Sequence, residues 1–193
     1  MAGIRGHNAR RMITRGVLSS PENYTHMLWV DADMSFNPDT LERLLAHDVD
    51  LVAATCTLRN PPYNIAAFVS IGRTSQPLPK IPEQAPALLS VAAVGAGCML
   101  VKRAVFERIA SRFGDGTWWD LTAYMGEDIA LCERAAAVGT RICLDTRTIV
   151  GHVGEVVIDP GLALVLRRIA ELRAPAAPPP EPSIILAPNG AAP

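Results

Sequence analysis

The sequence predicts an α/β protein, a single domain with a mostly parallel central sheet flanked by helices, followed by a proline-rich tail. Three observations predict it. Short apolar runs alternate with longer amphipathic segments along residues 1 to 173, as strands alternate with helices. Hydrophobic residues make up 49% and charged residues 19% of the 193, a balance that suits one compact core. From Ala174 onward the composition changes, with seven prolines in the last twenty residues, which suits neither helix nor sheet. The expected organisation is therefore an α/β domain over 1–173 and a disordered Pro/Ala-rich tail over 174–193, in which Ile184-Ile185-Leu186 is given no role.

Each element has its own signal. Residues 7 to 20 read as an amphipathic helix, and His26 to Val30 as a short buried strand that runs into a carboxylate. Asn37-Pro38-Asp39 opens a helix, with Asn at the N-cap and Pro at the first helical position, and Leu41, Leu44 and Leu45 facing the core. Asp50 to Cys56 is an apolar strand. The Pro-rich stretch from Arg59 to Pro86 contains one strand-like piece, Ile65 to Ile71. Ala87 to Val94 and Cys98 to Val101 are strands around Gly95-Ala96-Gly97. A helix is expected from Arg103 to Arg112 and another from Glu127 to Val138, stopped by Gly139. Arg141 to Leu144 is a strand and Gly161 to Arg173 a last helix.

Composition also excludes functions. A net charge of −1 gives no general attraction for nucleic acid or anionic lipid, so an anionic ligand must be held by a metal or by a few placed donors. Cys56, Cys98, Cys132 and Cys143 form no C-x-x-C pair and read as buried, reduced thiols. The uncharged run Ala87–Val101 is 15 residues and contains Ser90, Gly95 and Gly97. That is short of the roughly 20 apolar residues a membrane span needs. Arg5, Arg10, Arg11 and Arg15 are followed by no apolar run of the secretory kind, so a cytoplasmic protein is expected.

Four groups carry chemistry. Asp31 and Asp33 follow the strand Leu28-Trp29-Val30, and in extended chain residues i and i+2 point to one side. Two such carboxylates at a strand tip suit Mg²⁺ or Mn²⁺, which relieves their repulsion; the alternative is a pair of loop acids capping the next helix. His152, between Gly151 and Gly154, reads as a third metal ligand or as a structural histidine. Glu127 and Asp128 open a helix, where they either stabilise its first turn or supply a general base. Trp118 and Trp119 lie in a glycine-rich loop, either stacking on an acceptor sugar or filling the core beneath.

Together these residues resemble the family 2 glycosyltransferases of the A-type fold (GT-A), especially short bacterial and phage members. The likeness runs from about Asn8 to Gly154. It is carried by Thr25-His26-Met27-Leu28-Trp29-Val30-Asp31-Ala32-Asp33-Met34 with Pro38 after it, by Gly95-Ala96-Gly97-Cys98-Met99-Leu100, by Gly126-Glu127-Asp128 with Cys132 and Arg134, and by Gly151-His152. The resemblance implies a divalent metal and a nucleotide-diphosphate sugar as donor. It makes Asp33 the principal metal ligand, puts Asp31 on the ribose or the metal shell, and lets His152 complete the metal site. Gly97 would lie beside the donor sugar and Asn8 at the nucleotide. Asp128, the second of the acid pair, would be the base that activates an acceptor hydroxyl of a glycan, protein or other molecule, with inversion at the sugar.

The chain departs from that pattern at its start. Family members carry a strand-and-loop unit before the segment equivalent to Asn8, and His7-Asn8 stands where they commonly show Arg-Asn. Read as N-terminally abbreviated, the chain is a minimal variant, a domain completed by a partner or a second copy, or an inactive binding or scaffold module. A haloacid-dehalogenase-type phosphatase also begins with a strand and D-x-D. It expects Thr or Val where Ser35 stands, and Lys102 with Glu127 and Asp128 are poor stand-ins for its remaining residues.

Overall fold

The computed structural model describes residues 6–122, 125–154 and 160–173, and the expected tail over 174–193 lies outside them. The chain forms two compact units, Met1–Gly154 and Glu155–Pro193. In chain order the first unit contains α1 (Gly6–Ser19), β1 (His26–Val30), β2 (Met34–Ser35), α2 (Thr40–Ala46), β3 (Leu51–Thr55), β4 (Ile65–Ser70), β5 (Gln76–Leu78) and β6 (Leu88–Ser90). It continues with β7 (Ala93–Val94), β8 (Cys98–Lys102), α3 (Arg103–Phe113), α4 (Glu127–Ala137), β9 (Ile142–Ile149) and β10 (Gly151–His152). The second unit contains α5 (Pro160–Arg173), one residue longer than expected at its start.

The central sheet has the order β1-β8-β3-β9-β6. Only β3 and β9 pair in parallel; β1–β8, β3–β8 and β6–β9 are antiparallel. The expected mostly parallel sheet is thus corrected to a mixed, mostly antiparallel one. The reason lies in where β8 is inserted. β1, β3 and β9 all run one way, as alternating strands and helices suggest, but β8 enters between β1 and β3 in the opposite sense. The run expected as one strand, Ala87–Val94, is divided between two sheets: β6 joins β9, whereas β7 pairs with β4 in a small sheet ordered β5-β4-β7.

Strand alternation sorts the side chains between two layers. Met27 and Trp29, Leu51 and Ala53, Met99 and Val101, and Ile142 and Leu144 face one way, into a core completed by α3 and α4 with Val17 and Leu18 of α1. Their neighbours Val52, Ala54, Cys98, Leu100 and Cys143 face the other way, into a smaller core with Leu44 of α2, Met34 and Val150. All four cysteines are free and buried. Burial pushes the Cys56 and Cys98 thiols up to about 11 and Cys132 to about 12, which makes them poor nucleophiles near neutral pH.

Two local expectations change. α2 begins at Thr40, whose N–H donates to the Asn37 carbonyl at 3.1 Å, so the chain turns once before the helix starts. Asp39 therefore takes the N-cap position, and its carboxylate pairs with Arg43 one turn on rather than capping. Leu44 is 1% exposed, but Leu41 and Leu45 are 40% and 41% exposed, so only one of the three leucines reaches the core. α4 ends as its sequence predicts: Gly139 adopts φ 79°, the left-handed conformation that glycine enters without a Cβ clash.

Trp118 and Trp119 are fully buried. The Trp118 indole N–H donates to the Phe106 carbonyl at 2.8 Å and that of Trp119 to the Thr14 hydroxyl at 2.9 Å. Trp119 also meets the edge of Trp29 at a centroid distance of 4.9 Å. With no ring face open, neither stacks on an acceptor; they tie α1 and α3 to the sheet. Trp119→Ala should cost about 3–5 kcal/mol in urea unfolding, as large-to-small core changes do. A loss below about 1 kcal/mol would contradict this core placement.

Candidate functional site

The site is assembled by a break in β9. Asp145 is buried, and its carboxylate accepts hydrogen bonds from the Arg147 and Thr148 N–H groups at 2.8 and 2.9 Å and from the Thr148 hydroxyl at 2.7 Å. His47 approaches the same carboxylate at 2.9 Å. Burial works to raise the Asp145 pKa, but these hydrogen bonds outweigh it and hold the group below the ordinary aspartate range. The bonds stabilise a loop-out: β3 matches β9 up to Ala54 with Asp145, then resumes at Thr55 with Ile149. The chain leaves this bulge as β10, which pairs Gly151 with Ser35 and His152 with Met34. The Val153 N–H then donates to the Asp33 carbonyl at 2.7 Å.

Thus His152 lies beside the Asp31-Ala32-Asp33 segment because a two-residue ladder puts it there. The segment itself is not extended. Asp31 N–H donates to the Gly97 carbonyl at 3.0 Å, adding one rung to β1–β8, and Met34 N–H then closes a turn on the Asp31 carbonyl at 3.1 Å. The expectation that extended geometry aims both carboxylates to one side is corrected by this turn. Asp31 borders the cavity, whereas Asp33 meets it only through Arg59.

The cavity, of about 270 Å³, is bounded by Asp31, Arg59, Gly95, Gly97, Asp128 and His152 among others. The glycines keep its wall thin. A Cβ on Gly97 would sit 3.3 Å from the Met34 sulfur, and one on Gly95 would sit 3.3 Å from the Ala66 Cβ. Asn8 is exposed on α1 and is not part of this wall.

The two acids at the start of α4 have different partners. Glu127 lies 3.8 Å from the Arg10 guanidinium, whereas Asp128 borders the cavity. Burial raises the Asp128 pKa and the Glu127 charge adds to it; the Ile129 N–H, the charge of Arg10 and the Ala96 N–H oppose them. The net direction is upward, which makes the carboxylate a stronger base than an ordinary aspartate.

Two arginines that the motifs did not single out hold the strand-tip carboxylates. Arg10 donates to Asp31 at 2.6 Å, and its guanidinium lies 5.6 Å from the Trp29 ring centre and 5.3 Å from that of Trp119. Arg59, in the loop after β3, bonds the Asp33 carboxylate. Neither was legible, because α1 and the loop after β3 meet the strand tip only in the folded chain. An arginine on a helix has no sequence signature for the carboxylate it will find.

Among the described residues, no group of three or more His, Cys, Asp or Glu could hold a metal ion as the side chains stand. The donors nonetheless fit a hard divalent ion in kind. The His152 Nδ1 is 2.7 Å from the Thr57 carbonyl, the contact that fixes a ligating histidine's tautomer and leaves Nε2 as the donor. Beyond the turn that redirects them, both carboxylates are already engaged by guanidinium groups.

No family model matches the chain, and no curated protein does. Among solved structures, GalNAc-T7 with UDP, GalNAc and Mn²⁺ is similar at a TM-score of 0.51 and 13% identity, over 78% of this chain and 30% of that one. A197 from STIV matches at 0.48 and 14% identity, over 79% of this chain and 78% of that one. The chain thus spans under a third of the length of GalNAc-T7, and the likeness is one of fold: GT-A-like, at low identity.

The raised Asp128 pKa has a signed consequence. Its folded value lies above that of an unfolded chain, so ionisation opposes folding. The stability it allows is full below the ordinary aspartate range and declines as pH rises through the raised folded value. Asp128→Asn should remove that decline in urea unfolding measured from acid to neutral pH. Identical pH slopes in the two proteins would contradict the assignment.

Proposed function

We propose that the protein is a glycosyltransferase that moves a sugar from a nucleotide-diphosphate donor to an acceptor hydroxyl, with a divalent metal, Mn²⁺ or Mg²⁺. The observation that carries the reading is Asp128: a half-buried carboxylate at a helix start, lining a cavity bordered by Asp31, His152 and Gly97, with a pKa that desolvation raises. The GT-A-like fold agrees with it, since the similar GalNAc-T7 structure holds UDP, GalNAc and Mn²⁺.

In this reading Asp128 accepts the proton of the acceptor hydroxyl as its oxygen bonds to the anomeric carbon. The bond from that carbon to the phosphate oxygen breaks, and its electron pair leaves with the diphosphate. Attack opposite the leaving group inverts the sugar. Asp33, His152 and Asp31 would hold the metal, which when bound would neutralise charge on the departing diphosphate. Arg10 keeps Asp31 in place and balances Glu127, so that Asp128 is left as the base. Gly97, in the cavity wall, would lie beside the donor sugar, on the strength of the resemblance. Asn8 would contact the nucleotide from α1, on the strength of the resemblance alone. No described helix is long and apolar enough to cross a membrane.

One observation favours a second reading, a binding or scaffold module of the same fold: the strand-tip carboxylates are already paired with arginines. Calorimetry of UDP-, GDP- and dTDP-sugars with and without Mn²⁺ separates the two. An enzyme should bind one nucleotide sugar in a Mn²⁺-dependent way that Asp33→Ala abolishes. Asp128→Asn should keep that binding and lose about 10²–10⁴-fold in transfer rate, the usual worth of a general base. Failure of every nucleotide sugar to bind would sink the transferase reading.

A further inference from the structure

The loop after β3 touches two of the three candidate metal donors, His152 and Asp33. Thr57 gives its carbonyl to His152, and two residues on Arg59 bonds the Asp33 carboxylate. The loop backbone between them is held: Thr57 bridges Ile65, and the Leu58 N–H donates to the Asn64 carbonyl at 2.7 Å. Arg59 also forms part of the cavity wall, so it is within reach of an anion bound there as well as of Asp33.

The two site arginines differ in how firmly they are fixed. The Arg10 side chain is 14% exposed and lies over two tryptophan rings, whereas that of Arg59 is 63% exposed. An exposed ion pair contributes little and is readily exchanged, whereas a stacked, partly buried guanidinium is a strut. With its backbone held, Arg59 needs only side-chain rotation to change partners.

We propose that Arg59 is a built-in counter-ion, which neutralises Asp33 in the ligand-free chain and moves to the diphosphate when a divalent cation takes Asp33. The proposal rests on the transferase reading and adds an ordered exchange to it. Asp33 carries a single negative charge, and a guanidinium and a divalent cation placed on it together repel one another, so metal and Arg59 compete. A diphosphate offers oxygens that a guanidinium binds in a fork geometry, so the displaced cation gains a new partner. Cation and anion binding are thereby coupled through one side chain.

The test uses the full chain with Mn²⁺ alone, followed by the paramagnetic resonance signal of free Mn²⁺, and then inorganic pyrophosphate in saturating Mn²⁺, followed by calorimetry. Arg59→Ala should bind Mn²⁺ roughly two- to fivefold more tightly, the range expected from release of an exposed pair. The same variant should bind pyrophosphate more weakly, and Arg59→Lys should restore part of that loss. Opposite signs are the signature, because a variant that merely loosened the loop would weaken both ligands. Unchanged or weaker Mn²⁺ binding in Arg59→Ala, or unchanged pyrophosphate binding, overturns the exchange while leaving the transferase reading in place. Mn²⁺ binding absent from both wild type and Arg59→Ala, or insensitive to Asp33→Ala, overturns both.

Discussion

The cavity depends on the buried carboxylate of Asp145. A parallel strand that simply continued alongside β3 would carry its residues past the tip of the sheet, away from the Asp31 turn. By gathering two backbone N–H groups and a hydroxyl, Asp145 stabilises the loop-out that lets β9 rejoin β3 at Ile149 and deliver β10 to Met34. His47, just past α2, binds the same carboxylate, so α2 and the bulge are fixed together. The ionised group is retained although buried because its hydrogen bonds outweigh the cost of desolvation. His152 owes its position to a residue with no part in the chemistry.

Charge balance then shapes the site. Asp31, Asp33, Glu127 and Asp128 lie around the strand tip and the start of α4, and crowding carboxylates there is costly without cations. The chain supplies two. Arg10 serves Asp31 and lies near Glu127, and Arg59 serves Asp33. Asp128 is left without an arginine bonded to it among the described contacts, and burial dominates its pKa. Unequal sharing of two guanidiniums among four acids thus makes one carboxylate unlike the rest.

Local patterns carried much of this. The strand His26–Val30 and the helices α1, α3 and α4 follow from periodicity and capping, because each signal depends only on near neighbours. Pairing direction did not follow, since placing β8 between β1 and β3 depends on contacts far along the chain. The strands β2, β5 and β10 are two or three residues long, too short for a period to register. The Asp31 to Asp33 stretch reads as extended chain by continuity with β1, but a hydrogen bond from Met34 turns it. The two tryptophans illustrate a further limit. Glycines around them suggest an open loop, yet Thr14 and Phe106, both distant in sequence, offer acceptors that let the indoles be buried without an unpaired N–H.

The adjacent acids of α4 show how a helix makes two roles from one residue type. Consecutive helical positions diverge by about 100°, so Glu127 and Asp128 cannot share a partner readily. Glu127 turns towards α1, where Arg10 lies and where a Cβ on Gly6 would stand 3.3 Å from its carboxylate. Asp128 turns inward, and its own carboxylate accepts the Ile129 N–H at 2.8 Å. That bond and the helix N-terminus favour the ionised form, while burial disfavours it by more. Asp128 thus combines a desolvated carboxylate with a backbone N–H donor, and the balance lies on the side of a raised pKa. The first turn of a helix at a cavity wall supplies both influences at once.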